Sequence, residues 1–147
     1  MKIKYKERIY KEGEAKKILE DFYEEALRAS PHLRSYDLLL VKYDPEEDIA
    51  YLDTQPIVGS EEYHYTRDYD SPSIHVWGVN PLHLDPFEDL EWDEEEQCYR
   101  DSSGNKYDEE EVIEDYIDEI ASADADEFLE SVRAKVEEIK EYLGVSE

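Results

Sequence analysis

The chain has a single cysteine, Cys98, five glycines, six prolines and no unbroken apolar run of membrane-spanning length in its 147 residues. One cysteine excludes an internal disulfide. Without a long apolar run there is neither a helical membrane span nor, in the opening MKIKYKERIYKEG, the apolar centre of a signal peptide, so a cytoplasmic protein is expected. The few glycines form neither GxGxxG nor a P-loop, which removes support for a nucleotide site. His32, His64, His75 and His83 include no HExxH and no zinc spacing with Cys98. Positive charge is the largest deficit: 16 Lys and Arg stand against 42 Asp and Glu, a net charge of -26.

What is present argues for a folded domain. Apolar residues make up 39 % and aromatics 12 %, with thirteen tyrosines, whereas acidic disordered chains are poor in aromatics. The length suits one domain. Charge is polarised along it: residues 1–17 carry seven Lys/Arg and three Glu, a local net of +4, and residues 85–130 carry 21 Asp/Glu against Arg100 and Lys106, a net of -19. A Lys-rich start is unlike the uniform acidity of salt adaptation.

Residues 1–10 alternate, with Met1, Ile3, Tyr5 and Ile9 opposite Lys2, Lys4, Lys6 and Arg8, and read as one strand with a basic outer side. Ala15, Ile18, Leu19, Phe22, Tyr23, Ala26 and Leu27 then form a helical face that ends at Ser30-Pro31. YDLLLVKY and IAYLDTQ, joined by DPEED, read as a hairpin, and EYHYTRDY and SIHVWGVN as further strands. NPLHLDPFEDL is irregular, and QCYRDSSGNKY suggests a hairpin turning at 101–105. Two helices are expected at the end. One is capped by Asp108 with Glu111; the other is capped by Asp124 with Glu127, after a break at SADAD. The expected fold is α+β: a single domain over residues 1–147, an antiparallel sheet of about five or six strands, one N-terminal helix and two C-terminal helices.

Residues 93–120 hold thirteen carboxylates against one Arg and one Lys. On a helix from about residue 109, the stripe Val112, Ile113, Tyr116, Ile117 and Ile120 faces inward, leaving seven carboxylates on about 18 Å of helix. That is about one charge per 2.6 Å, against 1.7 Å for duplex DNA with both strands counted and 3.4 Å for one strand. Like-charge i,i+4 pairs such as Glu110 with Glu114 and Glu111 with Asp115 each cost about 0.2–0.5 kcal/mol. Solubility alone needs fewer acids than this, although a plain solvated face is the bland reading.

Such an array suits a protein built to neutralise phosphate with Lys and Arg. In charge and size the chain resembles the acidic DNA-mimic inhibitors with which phages and mobile elements block restriction enzymes, CRISPR effectors and other DNA-binding proteins; no motif is shared. The resemblance implies inhibition by binding, with a basic, nucleic-acid-binding protein as partner and no catalysis. The expected contact residues are Asp93, Glu94, Glu95, Glu96, Asp108, Glu109, Glu110, Glu111, Glu114, Asp115, Asp118 and Glu119. Trp92, Tyr99, Tyr107 and Tyr116 could add flat contact area, or simply pack.

The alternatives are an immunity protein or antitoxin covering a basic nuclease, or a small hydrolase using an unrecognised carboxylate pair. An EF-hand fails, because aligning Gly104 with the invariant glycine puts Tyr99 at the first ligand position. Asp70, Ser71, Ser73 and His75 lack the elbow of a nucleophile set. No catalytic residue, metal site or cofactor is expected. Nor is direct nucleic-acid binding, since the net charge repels the polymer at range. The basic first strand leaves room for a homodimer.

Overall fold

The opening strand is in fact a hairpin. Lys6 takes a left-handed backbone (φ 58°) and reverses the chain, so β1 (Lys2–Tyr5) pairs antiparallel with β2 (Arg8–Lys11). The turn shifts the alternation: Ile3, Tyr5 and Tyr10 are buried, while Ile9, expected inside, stands opposite Lys4 and is 57 % exposed. The computed structural model describes residues 1–28, 33–58 and 74–143. The expected strand EYHYTRDY, together with His32, His64, Asp70, Ser71 and Ser73, lies outside the described residues.

A 3-10 turn leads into α1 (Ala15–Leu27), which buries the face its spacing predicts, Ala15, Ile18, Leu19, Phe22, Tyr23 and Ala26. The hairpin of β3 (Leu33–Asp44) and β4 (Ile49–Val58) follows as expected. Its second strand then lies beside β1 in parallel, so the sheet is mixed rather than antiparallel. β2 holds one edge of β1, and β4 takes the other edge running the same way. With β5 (Ile74–Val79) on the far side of β3, the five-stranded order is β2-β1-β4-β3-β5.

A bulge in β5 links the sheet to the helices. Leu38 stands opposite Trp77 and Leu39 opposite His75, which leaves Val76 unpaired. The extra residue turns both Val76 and Trp77 inward. Trp77 packs edge-on to Phe128, with ring centres 6.2 Å apart, and donates its indole N–H to the Tyr23 hydroxyl at 2.9 Å. The Ser131 hydroxyl donates to the Val76 carbonyl at 2.6 Å.

The predicted hairpin at 97–107 forms, and an unforeseen strand joins it. β6 (Glu91–Asp93), β7 (Cys98–Arg100) and β8 (Lys106–Tyr107) make a separate three-stranded sheet instead of extending the first. Prolines 81 and 86 separate β5 from β6, and the chain between them makes a short 3-10 turn and further turns.

The two expected C-terminal helices are one, α2 (Glu109–Leu143), 35 residues and about 52 Å long. SADAD is no break. No Gly or Pro interrupts residues 109–143, and the inward stripe Ile113, Ile117, Ala121, Ala125, Phe128, Val132, Val136, Ile139 keeps three and four residue spacing throughout. Asp124, read as a cap, accepts a 2.7 Å hydrogen bond from the Tyr23 hydroxyl of α1. Both helices therefore cover one face of the large sheet, over a core that includes Tyr5, Phe22, Leu38, Leu40, Phe128 and Val132.

Candidate functional site

The first three turns of α2 and the β6–β7 hairpin bring together the carboxylates singled out from sequence, and their surroundings divide them into two groups. Five are engaged inside the molecule. Asp108 caps α2, accepting the Glu111 amide at 2.7 Å. Asp93 accepts the amides of Glu95 and Glu96 and holds the Arg100 Nε at 2.7 Å. Arg100 keeps the Asp93 carboxyl below the ordinary range, assisted by the Glu96 and Glu95 amides against a small desolvation cost. Glu96 pairs with Lys106 at 3.2 Å.

The other two engaged acids are met from across the helix interface. Arg28, just past the end of α1, reaches Glu110 at 3.1 Å, and Lys16, in its first turn, reaches Asp118 at 2.6 Å. Positions 110, 114 and 118 lie one above another on the flank of α2 that faces α1. The groove between the helices is lined by Glu20, Asp21 and Glu24 opposite Glu110, Glu114 and Asp118. Arg28 and Lys16 were not foreseen as neighbours of this flank. Neither lies near it in sequence, so no local pattern could have shown it.

Seven carboxylates remain: Glu94, Glu95, Glu109, Glu111, Glu114, Asp115 and Glu119. All are exposed, and none makes a side-chain hydrogen bond or ion pair among the described residues. Five of them span ten residue steps of α2, about 15 Å, or one uncompensated charge per 3–4 Å. Subtracting the engaged acids thus brings the density from between that of a strand and a duplex to that of one strand of DNA.

On the other flank, α2 faces the small sheet across a cleft of about 350 Å³. Asp85, Glu88, Asp89, Asp101, Asp115 and Glu119 ring it, and Tyr107, Tyr116, Val112, Leu90 and Pro86 supply its apolar wall. Asp101 is held by its own turn: its carboxylate accepts the Ser103 and Asn105 amides, the Asn105 side chain at 3.0 Å and the Tyr107 hydroxyl at 3.0 Å. The Asn105 side chain leads the contacts that lower its pKa. With its lone pairs so used and Gly104 at φ 85° closing the turn, this loop is a β-connection rather than a cation cradle. Among the described residues no group of three His, Cys, Asp or Glu side chains converges as metal ligands do.

The chain matches no protein-family model, no curated protein and no solved structure.

Away from the acidic surface, one partly buried polar pair stands out. Asp37 on β3, 6 % exposed, lies 2.8 Å from His75 Nε2 on β5, on the sheet face turned away from the helices. Gly78 makes room for it, since a Cβ there would lie 2.3 Å from Asp37 Oδ1. The same face carries Lys2 and Lys4, and the Lys4 and Lys42 ammonium groups lie 5.6 and 5.4 Å from the Tyr51 ring centre. The lysines of β1 and β3 thus share the face behind the strands with Asp37 and Asp53. No described helix is long and apolar enough to cross a membrane.

Proposed function

We propose that the chain is a binding protein that blocks a basic, nucleic-acid-binding protein by presenting carboxylates where that partner expects phosphate. One observation carries this reading: Glu109, Glu111, Glu114, Asp115 and Glu119 have no cation partner among the described residues and are held at strand-of-DNA spacing along the axis of a continuous helix anchored by its inner face. Glu110 and Asp118 are met by Arg28 and Lys16, while Glu114 on the same flank and Asp115 and Glu119 toward the small sheet keep their charge. Rigid display matters because a partner's lysines and arginines gain most when opposing charges need no reordering. Restriction enzymes and CRISPR effectors have the required kind of phosphate-binding groove. An inhibitor of this kind needs no catalytic residue, cofactor or metal of its own.

The test is a pull-down from nuclease-treated lysate with wild type and a Glu111→Gln, Glu114→Gln, Asp115→Asn, Glu119→Gln variant, eluted by a salt gradient and by duplex DNA. The expected result is one nucleic-acid-binding protein held by wild type, lost by the variant and displaced by DNA. Equal retention by both proteins, or nothing specific, sinks the proposal. The four substitutions remove like-charge neighbours, so the variant should be at least as stable as wild type.

A further inference from the structure

Among the described residues the large exposed apolar side chains are Ile9, Leu82 and Trp92. Trp92 differs from the other two in what holds it and what surrounds it. It pairs across β6 and β7 with Tyr99, ring centres 4.9 Å apart and nearly edge-on, and Tyr99 in turn stacks on Phe87 at 4.4 Å and 21°. The hairpin beneath is fixed by the Asp93 turn and by the Gln97 amide donating to the Glu94 carbonyl at 2.7 Å. Trp92 is thus the outer ring of a three-ring stack and is still 48 % exposed. It lines a shallow cleft with Glu91, Glu94 and Glu95, exposed carboxylates without a cation partner among the described residues, and with the already paired Asp93 and Arg100.

A fixed, half-bare indole among unneutralised carboxylates is suited to one side chain above others. We propose that Trp92 is the docking point for an arginine of the basic partner, its guanidinium laid on the indole and its N–H groups directed at Glu91, Glu94 or Glu95. Arginine fits better than lysine because the planar guanidinium is weakly hydrated, stacks on aromatic faces and can bond a carboxylate with two N–H groups at once. Tryptophan is also the residue type most often found to dominate an interface when truncated. The identity of the occupant as a basic protein rests on the function proposed above; the preference for arginine does not.

The test therefore uses defined probes. Hexa-arginine and hexa-lysine amides are titrated into the full chain, wild type and variant, at two salt concentrations, with calorimetry and tryptophan emission as readouts. Wild type should favour hexa-arginine over hexa-lysine by about two- to fivefold more than Trp92→Leu does, the range expected of an exposed cation–π contact. Trp92→Phe, which keeps a ring in the sheet, should fall between, and the four-carboxylate helix variant should keep the arginine preference while losing salt-dependent affinity. An arginine-to-lysine ratio that is the same in wild type, Trp92→Leu and Trp92→Phe overturns the proposal. Failure of the pull-down with the arginine preference intact would count against the partner class alone.

Discussion

At the scale of single residues, the sharpest constraint is a missing side chain. Gly78 sits where a Cβ would collide with Asp37 Oδ1 at 2.3 Å and His75 Nε2 at 2.6 Å. Gly78→Ala should therefore push apart a polar pair of which Asp37 is nearly out of solvent, at a cost of about 1–3 kcal/mol. Urea denaturation checks this, and an unchanged midpoint would mean that the carboxylate has somewhere else to go. The charged residues repeat the theme of local context. Which acids exist on residues 93–120 was legible from sequence, but not which were already neutralised. Glu110 and Asp118 lose their isolation to Arg28 and Lys16, and only the pairing of two helices reveals that.

At the scale of elements, the apolar stripes were legible and the boundaries were not. The stripe of α1 is the one its spacing implies; of the stripe expected on α2, Ile113, Ile117 and Ile120 pack on the core, while Val112 and Tyr116 wall the cleft toward the small sheet. Ser122, Asp124 and Asp126 resemble a cap because such side chains favour helix starts. In the fold the Asp124 carboxylate instead meets Tyr23, 101 residues earlier, and the helix runs on. Proline separates the two descriptions. If Asp124 began a helix, Ala125 would be its first helical position, where proline is welcome. In a continuous helix Ala125→Pro removes a hydrogen bond and clashes with the preceding turn, costing about 3 kcal/mol or more. A large drop in the unfolding midpoint is expected, and tolerance of the proline would restore the two-helix description. The parallel placement of β4 was equally hidden, since each strand's pattern is the same whichever way its neighbour runs.

At the scale of the whole molecule, titration should be asymmetric. Burial raises the phenols of Tyr5, Tyr23 and Tyr43 well above their ordinary range, with carboxylate partners Glu25, Asp124 and Asp48 adding to it; Tyr36 is pushed up to about 12, mainly by burial. A phenol whose folded pKa is raised contributes stability that is complete below the unfolded value of 10.0 and lost as pH climbs past it. Alkaline unfolding should thus set in above about pH 10, with phenolate absorbance and loss of helical dichroism rising together. On the acid side, Asp48, Asp93, Asp101 and Glu12 have lowered pKa values, held by Tyr43, Arg100, Asn105 and Arg133 respectively. Their stabilisation is present above the ordinary 3.8–4.5 and falls as pH drops through the lowered values. The phenols carry the larger shifts, so the acid edge should be the shallower of the two. Urea midpoints at pH 3.5, 7 and 10.5 provide the check, and a steeper acid edge would mean that burial of the phenols contributes less than the held carboxylates.

The long C-terminal helix also decides when the molecule can become whole. Strands β1 to β5 are all made once residue 79 has been synthesised, but the inner face of the sheet and the stripe of α1 still lack Phe128, Val132, Val136 and Ile139. A nascent chain leaving the ribosome therefore shows an unfinished apolar surface for more than sixty residues of further synthesis. The acidic segment at 85–130 emerges during that interval. Like charge of that density opposes association between unfinished chains until the last turns of the helix close the core.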